Sequence, residues 1–132
     1  MATIINIDEN KSQLFEMEGG GKVYLKAITS EEFNAINKKT TKKKVEYRKV
    51  DGTASRFEYE EIDYDLRAEL FYDAAIIDWE NFVDASGNEI PCTKENKMLF
   101  MNKSVAFSKF IADSIKILTD DATRENEEAE KN

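Results

Sequence analysis

The chain has no histidine, one cysteine and one proline in 132 residues. Without imidazole there is no Ser-His-Asp or Cys-His catalysis, no histidine-bearing zinc site and no ordinary proton shuttle near neutral pH. A lone Cys92 excludes intramolecular disulfides, CxxC redox chemistry and cysteine-cluster metal sites. Long apolar runs are also missing. The longest is four residues, as at 74–77, against the ~20 of a transmembrane helix. The opening Met-Ala-Thr-Ile-Ile-Asn-Ile-Asp lacks the basic start and apolar stretch of a secretory signal. The expected location is therefore the cytoplasm of the producing cell.

What is present is a charged globular composition: 41% hydrophobic and 35% charged residues. The length predicts one domain, spanning residues 1–119, with enough core to need no metal or disulfide staple. Lys+Arg number 19 and Asp+Glu 27, for a net charge of −8. The charge is unevenly spread. Residues 38–50 carry seven positive charges and one negative, whereas residues 63–92 carry one positive and eight negative. An acidic protein is repelled by nucleic acid unless it has a separate basic face. The one candidate, Lys38-Lys39-Thr40-Thr41-Lys42-Lys43-Lys44, has no aromatics within the run and reads as a solvated connection between a helix and a hairpin. Residues 120–132 contain no large apolar side chain, so they are expected to be a disordered acidic tail or a frayed helix extension.

The local patterns place strands first and helices last. Residues 3–7 are mostly β-branched and predict a strand. Two further runs, 13–18 and 22–28, flank Gly19-Gly20-Gly21 and predict a hairpin. Thr29 to Glu32 fits a capping box opening a short helix, with Phe33 and Ile36 on one face. Val45, Tyr47, Phe57 and Tyr59 alternate with polar residues on either side of Asp51-Gly52, a hairpin signal. They are expected to share one face. Residues 63–79 recur at helical spacing through Leu66, Leu70, Ala74 and Ile77, with Asp63 as N-cap. Thr93 caps the next helix, and Phe107, Phe110, Ile111, Ser114, Ile115 and Leu118 form a stripe on the last. The fold class expected is α+β: antiparallel strands and hairpins, then two or three C-terminal helices.

No catalytic constellation emerges, so neither an enzyme nor a bound cofactor or metal is expected. Asp84-x-Ser86-x-Asn88 misses the calcium-loop spacing. Glu60, Glu61, Asp63 and Asp65 read as charge at a helix N-terminus. The glycine triplet lacks the Gly-Lys-Ser/Thr of a phosphate loop. Cys92 has no base to activate it and reads as a half-buried structural thiol. Trp79, the sole tryptophan, reads as a core plug at the helix–turn junction, with a partner anchor as the competing role.

One stretch carries family information. Ile77-Asp78-Trp79-Glu80, then Val83-Asp84-Ala85-Ser86-Gly87-Asn88-Glu89-Ile90-Pro91, then Thr93-Lys94-Glu95-Asn96 follow one another, after an earlier Leu25-Lys26-Ala27-Ile28-Thr29-Ser30-Glu31-Glu32. This order resembles the tail assembly chaperones of long-tailed bacteriophages and prophages, specifically over residues 75–97. The lysine-rich hairpin at 38–60 departs from their pattern. The resemblance implies a holdase in the host cytoplasm that binds and solubilises the tape measure protein and helps recruit tail tube protein, with no nucleic acid or membrane partner. Such work needs exposed apolar surface, and Trp79, Phe82, Met98, Leu99 and Met101 are the candidate partner-binding residues. The alternatives from other classes are an acidic DNA mimic acting on a host nucleic-acid enzyme and a small structural subunit of the virion. In many such phages the chaperone is also the shorter product of a −1 ribosomal frameshift. The closing Glu130-Lys131-Asn132 is compatible with a slippery A-AAA-AAC/U heptamer in the message, and 131–132 is the only Lys-Asn dipeptide. A longer frameshifted product is therefore expected.

Overall fold

The computed structural model describes residues 2–3 and 12–131, the side chains of 121–131 excepted. The strand expected at 3–7 lies, from residue 4 on, outside the described residues. The elements are β1 (Gln13–Glu16), β2 (Lys22–Leu25), α1 (Ser30–Thr40), β3 (Thr41–Val50), β4 (Thr53–Ile62), α2 (Tyr64–Ala75), β5 (Ile76–Glu80), α3 (Lys94–Lys103) and α4 (Val105–Lys131). The class is α+β, with antiparallel strands first and helices at the C-terminal end. The expectation of one domain meets a chain that divides into two compact units: Met1–Thr29 with Tyr72–Asn132, and the intervening Ser30–Phe71.

The first unit is a three-stranded antiparallel sheet in the order β1-β2-β5, with α3 and α4. Its first hairpin turns where glycine was expected to break the chain. Gly19 and Gly20 have φ of +99° and +100°, a region that L side chains avoid. Gly21 is needed for a different reason: a Cβ there would sit 2.6 Å from the Phe82 ring. Val23 pairs with Trp79 across β2 and β5, and Phe15 with Val23 across β1 and β2, so all three side chains lie on one face of the sheet. That face is the core. Val23, Leu25, Ile76, Trp79, Phe107 and Ile111 are buried together.

The core helices start as their caps dictate. Thr93 Oγ1 accepts from the Asn96 N–H at 3.2 Å. Ser104 then serves both helices: its N–H donates to the Phe100 carbonyl and closes α3, while its Oγ accepts from the Phe107 N–H and opens α4. The α4 stripe is as expected, with Phe107, Ile111 and Ser114 buried and Phe110, Ile115 and Leu118 partly so. Its backbone continues through the acidic stretch to Lys131.

One boundary differs. The helix expected over 63–79 ends at Ala75, and Ile76–Glu80 is strand β5. The β-branched Ile76 and Ile77 and the aromatic Trp79 suit a pleated surface, and β2 offers an edge whose backbone groups need partners. Burial at Ile76 and Trp79 with exposure at Ile77 and Asp78 fits the register shift at Tyr24/Leu25.

The second unit is built on a two-stranded ribbon, β3 against β4, paired from Thr41↔Ile62 to Val50↔Thr53. The lysine run is not a connection: Lys38 and Lys39 close α1, and Lys42, Lys43 and Lys44 open β3 with no loop between. Asp51 and Gly52 both have positive φ, +54° and +79°, the type I′ geometry that matches strand twist. The base of the ribbon is tied at buried Thr40. Its hydroxyl donates to the Ile36 carbonyl at 2.8 Å and accepts from Arg67 Nε at 3.1 Å. Arg67 Nη2 reaches Thr41 Oγ1 at 3.1 Å, and the Asp63 N–H donates to the Thr40 carbonyl at 2.8 Å. Asp63 caps α2 through Leu66 N–H, as expected.

Candidate partner-binding surface

The five residues expected to meet a partner divide sharply. Trp79 is 6% exposed. Its indole stacks on Phe100 with centroids 4.7 Å apart and meets Phe107 edge-on at 5.9 Å. Its Nε1–H donates to the Ile90 carbonyl at 2.7 Å, across the turn that Val83 and Glu89 close. A buried indole with its one donor satisfied is a core plug, so the anchor role falls away. Phe82 and Met101 pack against the same core, and Phe82 is held between Trp79 and Gly21. Met98 is half-buried. Leu99, 51% exposed, is the accessible member of the five.

The residues singled out for chemistry are engaged in structure. Asp84 Oδ1 accepts from the N–H groups of Ser86 and Asn88 at 2.9 and 3.0 Å and so organises its own turn. Burial pushes the Cys92 thiol up from its ordinary value, against the opposing effect of the Lys97 cation, which suppresses the thiolate at neutral pH. Lys97 itself was not foreseen. It is 8% exposed, and its Nζ donates to both the carboxylate and the carbonyl of Asp73, each at 3.1 Å. Of the acidic cluster, Glu61, Asp63 and Asp65 line a cleft of about 510 Å³ at the ribbon base. Lys42 and Lys44 face them there, and Lys44 pairs with Glu61 at 3.7 Å.

Exposed large apolar side chains occur in both units, among them Leu14, Ile77 and Val105, and five of them stand on the ribbon. Val45, Tyr47, Val50, Phe57 and Tyr59 are between 39% and 70% exposed. They do not share a face. The two-residue turn pairs odd-numbered β3 residues with even-numbered β4 residues: Val45 stands opposite Glu58, Tyr47 opposite Arg56, Phe57 opposite Glu46 and Tyr59 opposite Lys44. Directly paired residues lie on the same face of a sheet. Val45 and Tyr47 therefore occupy one face, and Val50, Phe57 and Tyr59 the other. Each face interleaves these side chains with charge. On one, Arg48 lies 5.3 Å from the Phe57 ring centroid and 2.9 Å from Glu46, whose carboxyl it holds below the usual range. On the other, Arg56 pairs with Glu58 at 3.0 Å.

Both faces of the ribbon therefore carry exposed apolar side chains interleaved with charge. Residues 25–132 match the model of a family described as YdaY prophage protein. The chain belongs to the YdaY prophage protein family. The matched span takes in the whole ribbon, so the lysine-rich hairpin lies within what the family model describes. No curated protein and no solved structure matches the chain. Among the described residues, no helix is long and apolar enough to cross a membrane.

Proposed function

We propose that this prophage protein is a non-catalytic tail assembly chaperone that binds the tape measure protein, keeps it soluble and helps recruit tail tube subunits in the host cytoplasm. The observation that carries the reading is the ribbon, with five large apolar side chains exposed on two faces and charges between them. A holdase needs apolar side chains in water to engage an apolar client, and enough charge nearby to keep the complex in solution. Family membership supplies the phage context, and the 75–97 segment supplies the resemblance to chaperones of this kind.

Co-expression with the tape measure protein of the same prophage tests it. The soluble fraction of the tape measure protein should rise, and should fall back when Tyr47, Phe57 and Tyr59 are replaced by Ser. No change in solubility, with both chains folded and expressed, overturns the proposal.

A further inference from the structure

We propose that the ribbon adds to a second copy of this chain edge to edge, β3 of one copy against β4 of the next, so that copies assemble head to tail. Among the described residues, β3 and β4 form a sheet of two strands, leaving each with one outer edge along ten residues. An outer edge presents unpaired N–H and C=O groups, a template for a further strand. The two edges differ in sign. β3 carries Lys42, Lys43, Lys44, Arg48 and Lys49 against a single Glu46, while β4 carries Glu58, Glu60 and Glu61 against a single Arg56.

The signs choose among the possible pairings. A full-length twofold pairing of β3 with β3 sets Lys42 against Lys49 and Lys43 against Arg48, and one of β4 with β4 brings together two strands that each carry three glutamates and one arginine. Like charges opposite one another repel. β3 against a neighbour's β4 brings opposite charges together, and the ribbon's own register already displays the match in Lys42↔Glu61 and Lys43↔Glu60. Edge lysines ordinarily deter a stray strand; a strand rich in glutamate is the one they admit. A third and fourth strand also give a ten-residue ribbon, marginal alone in water, the neighbours it lacks. Because the contact uses two different edges, it does not close on itself at two copies. It leaves both ribbon faces open, so it is compatible with client binding there.

Sedimentation equilibrium of the full chain tests this. The weight-average mass should climb above the 15.2 kDa of one chain as concentration rises, without a plateau at two copies, and should drop on adding salt. Lys43→Glu/Lys49→Glu and Glu58→Lys/Glu60→Lys should each stay monomeric alone and associate when mixed. If either double variant loses its wild-type circular dichroism, Lys49→Glu and Glu58→Lys replace them, since the residues directly across the ribbon, Ala54 and Val45, are uncharged and Glu58 gives up only its exposed pair with Arg56. A monomer at every concentration, a plateau at two copies, or folded variants that fail to associate on mixing overturns the proposal.

Discussion

The sheet-and-helix core and the ribbon spend their aromatic side chains in opposite ways. In the core, Trp79, Phe82, Phe100 and Phe107 pack ring against ring with centroids 4.7 to 5.9 Å apart. In the ribbon, Tyr47 and Tyr59 stand 70% and 47% exposed. The first set lowers the free energy of the fold. The second leaves its apolar area in water, where it contributes little until something covers it. A side chain's type does not say which of these it does; the burial around it does.

The largest expected effect lies in the core. Trp79→Ala should destabilise by ~3–5 kcal/mol, as large aromatic truncations in cores do. Chemical denaturation measures it, and a loss under ~1 kcal/mol, typical of surface sites, would erase the contrast between the two regions. Gly21→Ala pushes a methyl into the Phe82 ring and should cost ~1–3 kcal/mol, the range of overpacking. Gly52→Ala should cost ~1–2 kcal/mol, since φ is +79° there. Its effect should appear as faster amide exchange in β3 and β4 with β2 and β5 unchanged. Equal acceleration everywhere would mean that the two regions unfold as one. At the small end, Tyr47→Ser should shift stability by less than ~0.5 kcal/mol while reducing client solubilisation.

Cys92 gives the comparison a pH axis. Its thiol is raised in the folded chain by burial, so folding favours the protonated form. That contribution is fully present below the unfolded thiol's value and is lost as pH rises through the folded one. At pH 8, alkylation of the native chain should be slower than that of the urea-unfolded chain. Equal rates would place Cys92 outside the core's protection.

Much of this fold was legible from local chemistry. The Asp51-Gly52 turn, the caps at Asp63 and Thr93 and the α4 stripe each rest on a few neighbouring residues whose preferences act alone. The misread boundaries share a cause. α1 runs into β3 at Thr40/Thr41, and α2 into β5 at Ala75/Ile76, with no glycine or proline at either junction to mark a stop. At the second, tertiary pairing with β2 overrode a helical spacing that Leu66, Leu70, Ala74 and Ile77 happened to keep. The candidate site suffered from the same blindness to partners. Trp79, Phe82 and Met101 look like anchors on paper because the rings and chains that cover them come from elsewhere. The ribbon's exposure was hidden because alternation in each strand implied a buried face that the register does not form.

That register has a consequence of its own. Each ribbon strand is written as if for a one-sided hairpin, with Val45 and Tyr47 alternating on β3 and Phe57 and Tyr59 on β4. Their pairing partners sum to 103 throughout, from Thr41↔Ile62 to Val50↔Thr53, and an odd sum sends the two halves of the apolar set to opposite sides. A slip by one residue would set Val45 opposite Phe57 and gather all four on one side, since a one-residue shift reverses every side chain of a strand. No buried face penalises that slip; the type I′ turn resists it. Asp51 and Gly52 thus act as a lock on sidedness, keeping apolar side chains on both faces of the ribbon where the same letters, one notch over, would make it greasy on one and polar on the other.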